Sequence, residues 1–535
     1  MTERCSIRRS LAMLVAIAAA AQPLVATGLE INRLMDEPTA RAMVSRFGYG
    51  ATPSALSAAM SQTPGQYLTH AIRDPSRLPP SVTDQIAALP VSEPLDVVWT
   101  RLGPGGTGRD RALDDEARKA LQREENQFAS AAIQARLLTM ANGDNPGHEA
   151  LLSFWLNHFS IFAPKNFDKL LAWDYVRSIE QAMPSDSFEA LLRASFFHPA
   201  MQVYLDNAQS TATTSIAAEK AAERGKRLGI NENLARELLE LHTLGVNAGY
   251  AQNDVQELAR IITGAGVYSP RMNDAGLARA GALRRGLFLF DPRRHDYGAK
   301  LFLGERFPAG QGISEIDRAI HLLATHPATA KRIAEKLAQR FLADQPPTQV
   351  VEAMTAGFLR SGGKISATLL PLLESTAFAT SLTQPTKFKE PLDYILSVAR
   401  AVCGDTPINN RLILAATALD MGEAPMMHGT PDGYGSRETD WLSPAAMTKR
   451  VRLAMGIASE RVPLARSDDH RIGRLRAFDD SSKVNLLRGE PCTVDFPTVD
   501  RMVGPVSSET KTAAAALLLR ERAGLLLASP EFMRR

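Results

Sequence analysis

The chain has 535 residues, of which 45% are hydrophobic, 22% charged and 6% aromatic. That is the make-up of a folded globular protein, and it excludes a disordered, collagenous or disulfide-dense chain. The formal charge is +3; Arg4, Arg8 and Arg9 against Glu3 hold most of it, so the rest is close to neutral and no nucleic-acid partner is expected.

The predicted elements begin with an export signal over residues 1–26. The three arginines precede an uncharged run from Leu11 to Ala21, and Pro23 follows in a stretch of small residues. As a helix the run spans about 16 Å, too short for a hydrocarbon core of about 30 Å. It therefore reads as a removed segment, which predicts an exported protein, periplasmic or extracellular, with no transmembrane anchor once mature. Arg8-Arg9 followed by Ser10, Leu11 and Ala12 resembles a twin-arginine signal; an ordinary secretory signal with two adjacent arginines fits the same residues. Cys5 lies before the apolar run, leaving Cys403 and Cys492 either to pair in an oxidising compartment or to stay as buried thiols.

Beyond the signal, Ala, Leu, Arg and Glu at helical spacing predict a mostly α, multi-helix globular protein with one small β-hairpin. Residues 36–140 form an N-terminal helical region. In it, short helices over Ala40–Ala71 are broken by Gly48, Gly50, Pro53 and Pro64. A Pro-rich connector covers Pro75–Pro94, and a long charged helix covers Leu113–Met140. Residues 148–400 form a central helical core. The one β signal there, near 287–303, predicts that Leu287–Phe290 pairs with Lys300–Leu303. Gly422–Gly435, rich in Gly, Pro and Met, reads as a long loop, and 441–535 as a C-terminal helical region.

An ordered series of residues resembles a known family. It includes Phe154-Trp155-Leu156-Asn157-His158-Phe159, then His198-Pro199, Tyr204-Leu205-Asp206-Asn207, and Asn231-Glu232-Asn233-Leu234-Ala235-Arg236-Glu237-Leu238-Leu239-Glu240-Leu241-His242. Thr263-Gly264, His295-Asp296 with Lys300, Gly433-Tyr434 before Trp441, and Ser529-Pro530-Glu531-Phe532 continue it. Together these resemble the bacterial family called domain of unknown function 1800 (DUF1800). Ala265 departs from the pattern, since the family usually has Trp there. The resemblance implies an exported, largely helical protein, and a co-exported protein of the DUF1501 type as its partner.

Candidate site residues come from the same stretches. On a helical wheel Glu237 and Glu240 share a stripe with Arg236, while His242 falls opposite among leucines. Two carboxylates one turn apart can act as acid and base or hold a divalent ion; equally, they can form a solvated face with an Arg236–Glu240 pair. His158 lies on an apolar stripe beside Asn157 and needs a partner for its ring nitrogens. Asp206 or Asp296 could supply one, as could an ordinary structural hydrogen bond in the core. His295 and Asp296 occupy a connection between strands, where polar groups can meet a ligand or simply form a turn. Asn231 and Asp254 stand where helices begin, and Asp254 has Glu257 three residues on, as in a capping box. Ser361-Gly362-Gly363-Lys364 matches a short serine-acyl-enzyme pattern, but its glycines suggest a turn between helices.

Two function classes follow. The first is a periplasmic hydrolase-like enzyme using Asn157, His158, Asp206, Glu237, Glu240, His295 and Asp296, with Glu237, Glu240, His295 and Asp296 as ligands for a divalent metal. The second is a non-catalytic helical binding or assembly partner of a co-exported protein, with the same polar residues holding its core.

Overall fold

Asp36, Thr52 and Thr63 each precede a first helical turn that contains proline, and each side chain accepts a hydrogen bond from the backbone three residues on. These caps explain why the N-terminal segment breaks into short helices, Glu37–Arg46 (α1), Pro53–Met60 and Pro64–Arg73. The computed structural model describes residues 28–109, 114–467 and 489–535; the predicted export signal lies outside them. About 60% of the molecule is helical, so the mostly α expectation holds.

The predicted Pro-rich connector is not irregular throughout, because Pro80 starts a helix over Pro80–Ala87. The long charged helix runs over Asp115–Asn142 (α2), capped by Asp114, and only its C-terminal half is buried. Asn145 caps the next helix, Pro146–His158 (α3), which lies inside the molecule with Trp155 fully buried. Further on come Asn233–Glu237 (α4), Gln252–Ile261 (α5), Ile313–Thr325 (α6), Pro327–Phe341 (α7) and Pro391–Cys403 (α8). α4 runs into a wider π turn over Leu238–His242. One cluster of buried apolar side chains extends from Met35 to Met533 across all the predicted regions.

The predicted hairpin is corrected. Phe288–Phe290 pairs with Ala265–Val267 on one side and Leu283–Arg285 on the other, in a three-stranded antiparallel sheet. Lys300–Phe302 instead pairs with Glu305–Phe307. The second pair turns through Leu303 and Gly304, both at positive φ, the geometry a two-residue hairpin requires. Ala265, where the resembled family has Trp, pairs with Phe290 and is fully buried. Ser361–Lys364 is an interhelical turn, as its glycines suggest, with Gly362 and Gly363 at positive φ.

Cys403, at the end of α8, is disulfide-bonded to Cys492, with Cα atoms 5.0 Å apart across a sequence separation of 89. The segment Lys387–Lys389 is held by the C-terminal residues: the Lys389 amide donates to the Met533 carbonyl and the Arg535 amide to the Lys387 carbonyl. This brings the buried Arg535 side chain beside Asp393 of α8, at 3.1 Å.

Candidate functional site

The last turn of α3 carries Asn157 and His158, and each is spent on backbone. Asn157 donates to the Tyr434 carbonyl at 2.9 Å and accepts from the Tyr434 amide at 2.8 Å. Gly433 is at positive φ, and a Cβ there would lie 2.4 Å from the Asn157 carbonyl, so only glycine lets the chain approach this closely. Asn157 thus fixes the loop 422–435 over the end of α3. His158 is buried among Phe154, Phe159 and Phe188. Its Nε2 lies 3.0 Å from the His242 carbonyl, so Nε2 carries the proton. The partner of His158 is therefore neither Asp206 nor Asp296. Burial, then the charge of Lys336, pushes the imidazole well below its usual range. His242 is likewise buried, and the same causes bring it down to about 3; both rings are neutral.

Asp206 is half-exposed and pairs with Lys165 at 3.4 Å. His295 is fully buried, with Nδ1 2.7 Å from the Thr263 carbonyl and Nε2 2.9 Å from Glu315. Glu315 also accepts from Lys300 at 2.7 Å. Asp296 takes two hydrogen bonds from Arg260, at 2.9 and 3.1 Å, and caps the Gly298 amide. His295 and Asp296 therefore belong to a polar staple joining α5, the Lys300 strand and α6. Glu237 and Glu240 are not among its members. The metal set expected from Glu237, Glu240, His295 and Asp296 is not assembled, and among the described residues no group of three or more His, Cys, Asp or Glu side chains is arranged to hold a metal ion.

Glu237 and Glu240 do act on one another. Burial first, Glu240 second, and Asp432 of the loop also raise the Glu237 carboxyl above its usual range, against the pull of Arg236. Glu240 itself pairs with Arg236 at 3.5 Å. The same Asp432 acts on Lys336 of α7, whose ammonium is brought down to about 8 by burial and then by Arg332. Lys336 makes no hydrogen bond or ion pair among the described residues, and it lines a recess of about 100 Å³ together with Asn157, His158, Arg340 and His428. That space holds a few waters or one small polar group.

The loop adds an imidazole. His428 Nε2 lies 3.2 Å from Asp432 Oδ1 and 2.9 Å from Thr430 Oγ1. A carboxylate only accepts, so the proton sits on Nε2 and Nδ1 offers its lone pair. On the far wall, Arg340 holds Asp393 at 2.8 and 2.9 Å and Glu390 at 2.7 Å. Glu423 accepts from the Leu392 amide at 2.8 Å; burial, then the charge of Glu390, raises its carboxyl well above the usual range.

Residues 42–534 match the family model described as a protein of unknown function, DUF1800. The chain belongs to the DUF1800 family. No curated protein and no solved structure gives a match. Within this DUF1800 chain, three residues of the site escaped the sequence: Lys336, His428 and Asp432. Lys336 reads as part of an ordinary charged face of α7, since the loop that buries it is remote in sequence. His428 and Asp432 stand four apart in a Gly- and Pro-rich stretch, where no helix or strand periodicity assigns them a face.

Proposed function

We propose that the protein is an exported, hydrolase-like enzyme whose acid–base groups meet where the loop 422–435 closes over α4 and α7. What supports this reading is that His428, hydrogen-bonded to Asp432, lines the same recess as Lys336, with Glu237 in the field of the same Asp432 carboxylate. A carboxyl with a raised pKa, an ammonium with a lowered one and a carboxylate-linked imidazole are the parts general acid–base hydrolysis needs. In this assignment His428 Nδ1 takes a proton from the attacking water. Glu237 donates one to the leaving group, and the Lys336 ammonium stabilises negative charge on the tetrahedral oxygen. Export is supported by the N-terminal sequence and by the Cys403–Cys492 bond, which an oxidising compartment favours.

The test is hydrolysis of a panel of p-nitrophenyl esters, phosphates and glycosides by the full mature chain. Turnover of at least one class is expected, reduced about a hundredfold or more in Glu237→Gln and His428→Ala, with neither variant less stable than the native chain. No turnover on any class, or equal turnover in the variants, removes the proposal.

A second reading is favoured by the engagement of Asn157, His158, His295 and Asp296 in backbone and ion-pair contacts: a helical assembly partner for a co-exported DUF1501-type protein. It predicts that the two co-purify from the periplasm as a complex of fixed stoichiometry.

A further inference from the structure

A second and larger opening, of about 940 Å³, lies between α1, Lys389 and the second half of α8, the segment 502–507 and residues 530–535. Its walls are partly apolar, with Ala42, Leu382, Val503, Val506 and Phe532. Its floor is cationic. Lys389 is only 2% exposed, and its ammonium sits 3.7 Å over the Phe532 ring with no hydrogen bond or ion pair among the described residues. Arg46 is 1% exposed and donates only to the carbonyls of Leu342, Ser381 and Phe341; its Nε has no partner. Arg535 is bound to Asp393 by Nη2, while its Nε and Nη1 are unpartnered.

The acids nearby do not balance these charges. Asp393 and Glu390 are shared with Arg340, burial disfavours the ionised form of Glu423, Glu531 is turned to Ser507 and Thr510, and Glu509, also on the lining, is exposed to solvent. Arg41 and Arg534, also on the cleft wall, are taken by Glu37 and Glu438. A buried cation without a counter-charge is costly, and here two of them, Lys389 and Arg46, border with the Asp393-paired Arg535 one opening large enough for a drug-sized molecule.

We propose that this cleft binds an organic anion, a carboxylate or phosphate head on an apolar body, with Lys389, Arg46 and Arg535 receiving the head and Phe532, Val503 and Val506 the body. An oxyanion supplies the acceptor that the Lys389 ammonium lacks, and its charge offsets those of Arg46 and Arg535, whose unpartnered N–H groups lie shielded behind the cleft surface. Burial, only partly offset by Asp393, holds the Lys389 ammonium down at about 7, so a bound anion would also restore its charge. The site is separate from the recess beside Lys336: Lys389 faces the cleft, while Glu390 and Asp393 face the recess.

The experiment is isothermal titration calorimetry of the full mature chain at fixed chloride concentration, using sodium octanoate, octyl phosphate, inorganic phosphate and neutral octanol. Octanoate or octyl phosphate is expected to bind saturably at one site, with octanol and inorganic phosphate each at least about tenfold weaker. Lys389→Met should weaken the preferred amphiphile about tenfold or more, the loss of one charge-assisted hydrogen bond. The ratio of octanoate to octyl phosphate identifies the head group. Binding of octanol as tight as octanoate, no saturable binding by either amphiphile, or equal affinity in Lys389→Met overturns the proposal. Should that variant fail to fold, the comparison of octanoate with octanol on the native chain still decides it.

Discussion

Glu237 is kept half-buried beside Glu240 and within the field of Asp432, an arrangement that disfavours its ionised form. A folded carboxyl whose pKa exceeds its unfolded value favours folding fully below the unfolded value. That contribution is lost as pH rises through the folded one. Removing the charge should therefore help where the wild-type group is ionised and do nothing where it is already protonated. Glu237→Gln is expected to raise the melting temperature at about pH 7 and to leave it unchanged at about pH 4, measured by thermal unfolding at both. A gain of the same size at both values would mean that packing, not charge, sets the cost of this residue. A side chain that lowers stability at working pH is what an acid–base site retains for its chemistry.

At the scale of single elements, the junction of α3 with the loop 422–435 is the most informative. The two hydrogen bonds from Asn157 to Tyr434 are the loop's tie to α3, and the loop in turn supplies His428 and Asp432. Asn157→Ala should cost about 1–3 kcal/mol and speed amide exchange at Tyr434 while the hydrogen-bonded amides of α7 keep their protection; uniform exchange across the molecule would show a global effect instead. Elements of this kind were partly legible beforehand. Asn231 stands one residue before the N-cap, Glu232, and accepts from the first helical amide, Asn233, at 2.8 Å. Asp254 works from inside its helix, reaching back to the Ala251 amide and across to Leu303, while the Glu257 expected to complete its box is bound to Arg260. The wheel separated Glu240 from the buried His242 correctly even though a π turn runs through both. The strands failed because pairing depends on partners: Leu283–Arg285 is exposed and charged and carries no apolar alternation, yet it completes a sheet. Lys336 could not be singled out, since its burial comes from a loop about a hundred residues further along the chain.

Across the whole molecule, long-range ties outnumber what local sequence rules can anticipate. The Cys403–Cys492 bond closes a loop over an 89-residue separation, which in the chain-entropy picture restricts the unfolded state by about 4.6 kcal/mol. Cys403→Ser with Cys492→Ser is expected to lower the unfolding free energy by a few kcal/mol, read from denaturant titration, and reductant should bring the native protein to the same midpoint. If reductant has no effect on the native chain, the bond contributes nothing in solution. The family and the helical class were readable from ordered motifs and periodicity, because both are written locally. The influence of Asp432 on Glu237, or of Arg535 on Arg46, is written only in the folded chain.

The attachment of residues 533–535 to Lys387 and Lys389 carries one more consequence. Asp393 receives its second cation, and the Arg340 carbonyl its donor, from Arg535, remote from both in sequence. A molecule clipped before Phe532 would leave Lys389 without its aromatic cover and Asp393 short of a cation, so its interior would loosen rather than merely shorten. Damage at that tail would thus be advertised throughout the body, giving surveillance proteases a ready means of telling intact copies from broken ones.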